Sequence, residues 1–125
     1  MSVTLKITGI GILFLLIIVT GILLVRTGRP YNPVMFNIHK FISLAGIVLG
    51  GIFVYNAYGN IEGIPFLLPL IIVTGILYIV LLVSGGLLDL DKPFHNLLQI
   101  IHRISSPVTI IFTIVIFYIL LKKAI

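Results

Sequence analysis

Four apolar runs, at about residues 7 to 26, 34 to 56, 64 to 87 and 94 to 121, take up most of the 125-residue chain. Each is close to or beyond the roughly 20 residues with which a helix spans the hydrocarbon of a bilayer. Segments rich in turn formers separate them: Arg26 to Pro33, Asn56 to Pro65 and Gly85 to Pro93. Only 9% of the residues are charged and the mean hydropathy is +1.33, whereas a soluble domain clothes its surface with about a quarter charged residues. A soluble globular domain is excluded, and no length remains for an extramembrane one. The pattern predicts a single all-α transmembrane domain over residues 1–125, an integral membrane four-helix bundle. No small-residue cleavage site follows the first run, which Arg26 closes, so that run reads as a retained helix and not a signal peptide.

The chain also repeats itself. Ile17 to Leu23, IIVTGIL, recurs as Ile71 to Leu77, 54 residues later, and carries Thr20-Gly21 and Thr74-Gly75 at its centre. His39-Lys40 follows the first copy and His102-Arg103 the second, at an offset of 63 residues. Each half, about 1–60 and 61–125, thus reads helix, Thr-Gly, loop, helix, His-basic. Two helices return the chain to its starting side, so the expected architecture is a pair of parallel two-helix repeats related by an axis along the membrane normal. At 1.5 Å per residue, both histidines fall roughly 25 to 29 Å from the far surface.

A polar side chain inside a membrane costs free energy unless it is partnered, so the histidine pair is the leading functional feature. The chain has no cysteine, which excludes disulfides, iron-sulfur clusters, thiolate zinc sites and covalent c-type haem. Two imidazoles at one depth on two helices suit axial ligation of a haem iron by His39 and His102. Lys40 and Arg103, next to the histidines, together with Arg26 and Arg29 in the first connection, supply cations for two propionates. Small residues would clear space for the ring: Ser43 and Gly46 after His39, with Gly50 beyond, and Gly21 and Gly75 on the other helices. Gly46 and Gly50 also form G-x-x-x-G, which serves close helix packing equally well.

The fourth run carries a polar stripe of His95, His102, Ser106, Thr109 and Thr113, at spacings of 7, 4, 3 and 4, on one helical face that must look inward. Its hydroxyls can instead bond the carbonyl one turn back, which would make it a packing feature. His95 lies roughly 10 Å along the helix from His102, beyond the hydrocarbon. With Asp89 and Asp91 it forms the one acid-base cluster of the chain, which reads either as a proton-handling site or as a polar turn whose acids favour the following helix dipole.

On the T-G and H-[KR] motifs and the four-helix plan, the chain resembles the small four-helix b-type cytochromes of membranes, the cytochrome b561-like proteins and the cytochrome b subunits of hydrogenases and dehydrogenases. The resemblance implies haem b held by histidines on separate helices and electron exchange with a quinone. Many such proteins use four histidines for two haems, one near each surface. This chain has three, all towards one side, so the resemblance carries over one haem per chain, on His39 and His102.

The expected function is therefore membrane electron transfer. The chain would be no enzyme alone but a haem subunit or anchor of a larger membrane oxidoreductase, in the cell membrane, with a quinone or protein redox partner. The competing class is a non-redox structural subunit of a membrane complex. A transporter is disfavoured because no carboxylate lies within a span, and a net charge of +5 placed in loops and at helix ends gives no case for nucleic acid. Charge does not assign a side: once Lys40 and Arg103 are set aside for propionates, Arg26, Arg29 and Lys92 face Lys6, Lys122 and Lys123.

Overall fold

Each apolar run becomes one helix, because a chain in lipid must satisfy its own backbone hydrogen bonds. The computed structural model describes residues 2–28, 30–57, 66–88 and 95–124. Among these residues the chain is all-α, with α1 at Val3–Thr27, α2 at Pro33–Ala57, α3 at Leu67–Leu87 and α4 at His95–Ala124. All four are long and apolar enough to cross a membrane. Their outward faces carry large apolar side chains such as Phe41, Ile79, Ile104 and Ile114, each more than 60% exposed. Water would charge heavily for that surface, and lipid does not. The protein is a membrane protein.

The helices begin and end a little away from the expected limits, for local reasons. Ser2 accepts a hydrogen bond at Oγ from the Leu5 N–H and starts α1 four residues before the apolar run. Gly28, at φ +68°, closes α1 with its N–H on the Leu24 carbonyl. Asn32 Oδ1 accepts from the Val34 and Met35 N–H groups at 2.9 and 3.2 Å, and Pro33 takes the first position of α2, where its missing N–H is no loss. α4 continues through Pro107, which deprives the Arg103 carbonyl of its helical donor. The third helix ends at Leu87, where the apolar run ends, and passes through the Gly85-Gly86 pair.

The chain divides into two units, Met1–Asn56 and Ala57–Ile125, each holding one helical pair. In the first, Gly46 brings α2 close to α1: a Cβ there would lie 2.8 Å from Ile17 Cδ1 and 3.7 Å from Leu13. In the second, the polar stripe of α4 does turn inward. Thr109 is 1% exposed, and Thr113 is hydrogen-bonded to the Tyr78 hydroxyl of α3. The stripe's hydroxyls also take the carbonyl one turn back: Ser106 donates to His102 O, Thr109 to Ser105 O and Thr113 to Thr109 O. No polar hydrogen is left facing lipid by these three groups, which removes the cost of carrying them into the span.

Candidate functional site

His39 sits six residues into α2, about 9 Å from its first residue, and His102 seven into α4, about 10 Å from its own. Both are half-buried. In the first unit the imidazole of His39 leans across to α1, where Nδ1 is hydrogen-bonded to Thr20 Oγ1 at 2.8 Å. Its ring edge rests on Gly21, at which a Cβ would stand 3.1 Å from Cε1 and 3.7 Å from Nε2. One turn further along α2, Ser43 donates to the His39 carbonyl at 2.6 Å.

The second unit builds the same seat from different residues. His102 Nδ1 is hydrogen-bonded to Ser84 Oγ of α3 at 3.1 Å. The ring lies on Gly85, where a Cβ would meet Cε1 at 2.8 Å, Nδ1 at 3.2 Å and Nε2 at 3.6 Å. Ser106 donates to the His102 carbonyl at 2.6 Å, as Ser43 does to that of His39. Each seat is thus a hydroxyl and a glycine on one helix and a histidine with a serine four residues on along the other. The glycine is required because the ring occupies the volume a Cβ would take.

The counterpart of Thr20-Gly21 is therefore Ser84-Gly85, not Thr74-Gly75. Thr74 is buried and donates to the Leu70 carbonyl of its own helix, and nothing stands within 4 Å of a Cβ at Gly75. The identical IIVTGIL segments lie at different levels of their helices. The matching register is 64 residues: GILFLLIIVTGILL at Gly11 to Leu24 against GILYIVLLVSGGLL at Gly75 to Leu88, seven of fourteen positions identical, with Phe14 opposite Tyr78 and Thr20 opposite Ser84. Burial follows this register, since Ile10 and Leu24 in α1 and their counterparts Thr74 and Leu88 in the second unit are all buried. That alignment was available in the sequence, but the Gly85-Gly86 pair reads as the start of a loop and hides it.

The remaining sequence-derived residues divide as follows. Ser43 and Ser106 belong to the seats through the backbone of the histidines. Gly46 lies against Ile17 and Leu13, so its space is filled by the partner helix. Lys40 is exposed with Nζ 5.6 Å from the centre of the Phe36 ring, itself stacked on Tyr31. Arg26 lies in the last turn of α1, and Arg103 is exposed beside its histidine. Arg29, Asp89 and Asp91 lie outside the described residues. His95 opens α4 at 8% exposure, with no hydrogen-bond partner at Nδ1 among the described residues. Its counterpart 63 residues earlier is Asn32, the cap of α2.

No family model, curated protein or solved structure matches the chain.

Proposed function

We propose that this chain is a membrane electron-transfer protein that binds one b-type haem through His39 and His102, as the haem subunit or anchor of a larger oxidoreductase of the cell membrane. Its electron partner on this reading is a quinone or a second protein. The observation that carries the reading is the imidazole seat built twice, once in each helical pair, from a hydroxyl, a glycine and a histidine. Packing alone asks for neither a histidine nor its repetition; a group held by two imidazoles asks for both.

The residues present fit the group. Two imidazoles and no thiolate are the donor set of a bis-histidine b haem. The glycine under each ring lets the imidazole lie flat against the neighbouring helix, which limits its rotation. When bound, the haem supplies a one-electron iron couple. The chain's own part is to hold and shield it. Lys40 and Arg103, each one residue past a ligand, and Arg26 at the end of α1 provide cations for the propionates. Arg29 belongs to the same group by sequence. Ser43 and Ser106 have their hydrogens on the histidine carbonyls, so their share is to steady the helix at the ligand. Gly46 is a packing residue here, and Gly75 has no part in the seat.

The tight α1–α2 contact at Gly46 favours a second reading, a non-redox structural subunit that packs through small-residue faces. Absorption spectra of protein purified in mild detergent separate the two. The haem reading expects the reduced bands of a low-spin b haem, about one per chain by pyridine haemochrome, lost in His39→Ala and in His102→Ala. Protein that stays colourless after expression with haem precursor supplied overturns it.

A further inference from the structure

We infer that Thr20 and Ser84 are positioning residues: they hold the proton of each imidazole on Nδ1 and so present the Nε2 lone pair as the metal-binding atom. The assignment of a haem iron to that lone pair rests on the proposed function; the proton's place rests on the hydrogen bonds alone.

Each hydroxyl owns a single hydrogen, and its use can be read from the oxygens around it. Thr20 Oγ1 lies 2.8 Å from the Leu16 carbonyl and 3.0 Å from that of Ile17. Two oxygens at 2.8 Å need a hydrogen between them, and a carbonyl has none to give. The Thr20 hydrogen is therefore spent within α1. Its oxygen can only accept from His39 Nδ1, 2.8 Å away, so Nδ1 carries the proton. A neutral imidazole protonated on Nδ1 has its lone pair on Nε2.

The second seat reaches the same state by a slightly different route. Ser84 Oγ lies 3.4 Å from the Leu81 carbonyl, a weaker hold on its hydrogen than Thr20 has. That carbonyl can only accept, so the bond it makes uses the Ser84 hydrogen. With its hydrogen on that carbonyl, Ser84 Oγ accepts from His102 Nδ1 at 3.1 Å, as Thr20 accepts from His39. An acceptor on the far nitrogen fixes the tautomer, sets the ring's orientation and raises the basicity of the metal-binding nitrogen; loss of such a partner typically costs about 10- to 100-fold in metal affinity.

The test uses the full-length protein in detergent. Proton-nitrogen correlation spectra of 15N-histidine-labelled apoprotein are expected to show His39 and His102 in the Nδ1–H tautomer, with Thr20→Val shifting His39 alone and Ser84→Ala shifting His102 alone. Thr20→Ser and Ser84→Thr, which keep the hydroxyl, are expected to restore it. In haem titrations the two hydroxyl-free variants are expected to bind about 10- to 100-fold more weakly. Their midpoint potential is expected to move upward, because a less basic imidazole favours the ferric iron less. Wild-type apoprotein with Nε2–H histidines, or variants whose tautomers do not change, overturns the assignment whether or not haem binds. Wild-type protein that shows Nδ1–H histidines and refuses haem leaves the proton assignment supported and retires the haem reading.

Discussion

The glycine seats make a graded prediction. A Cβ added at Gly85 would stand 2.8 Å from His102 Cε1, about 0.6 Å inside the 3.4 Å at which ordinary contact begins. An imidazole ring has no flexible end to swing aside, so the ring must move as a body. A shift of that size away from Ser84 carries Nδ1 from 3.1 Å to about 3.7 Å, past hydrogen-bonding range. Overpacking of this kind costs about 1–3 kcal/mol, and the lost bond adds about 1 kcal/mol. At Gly21 the same methyl would meet His39 Cε1 at 3.1 Å, a shortfall about half as large. At Gly75 it meets nothing within 4 Å, and alanine is the better helix former. The expected order of damage is therefore Gly85→Ala, then Gly21→Ala, with Gly75→Ala neutral or stabilising. Thermal unfolding followed by circular dichroism in detergent, alongside haem titration, reads both consequences; a weakening of binding by roughly 10-fold or more is expected at Gly85, since 1.4 kcal/mol is a factor of ten. If Gly75→Ala is as harmful as Gly85→Ala, the 64-residue register and the seat built on it are refuted.

Further outcomes follow from the same contacts. His95→Ala is expected to retain haem at one per chain while His39→Ala and His102→Ala lose it, read from reduced spectra; loss in His95→Ala would move a ligand to the start of α4. Tyr78→Phe is expected to lower stability by about 1 kcal/mol only, because Thr113 keeps its bond to the Thr109 carbonyl; thermal scans with and without Thr113→Val check this. Asn32→Ala, which strips the cap from the Val34 and Met35 N–H groups, is expected to cost about 1 kcal/mol, against little for Asn32→Asp or Asn32→Ser. Gly46→Leu is expected to drive α1 from α2, whereas Gly46→Ala is expected to be mild, because the atom it meets, Ile17 Cδ1, ends a flexible side chain.

The number and place of the helices were legible in the sequence because the bilayer reads hydropathy over about 20 residues at a time, and that quantity is local. The inward turn of the α4 stripe was legible for the same reason: spacings of 7, 4, 3 and 4 put His102, Ser106, Thr109 and Thr113 on one face, and lipid excludes polar faces. The two histidines and the serines four residues after them could also be picked out, since i to i+4 contacts lie within a single helix.

Which residue of one helix meets which of the next depends on axial register, and no property of either helix alone sets it. Hence IIVTGIL, repeated letter for letter, pointed to Gly75, while packing brought Ser84 and Gly85 to His102. In lipid, where apolar contacts are nearly equivalent along the whole length of a span, a close approach at a glycine and a hydrogen bond at a hydroxyl decide the register. Length, helicity and membrane residence were determined by the sequence by itself. The seat of each imidazole was decided only by the tertiary structure, because it is made of atoms that come together across two helices.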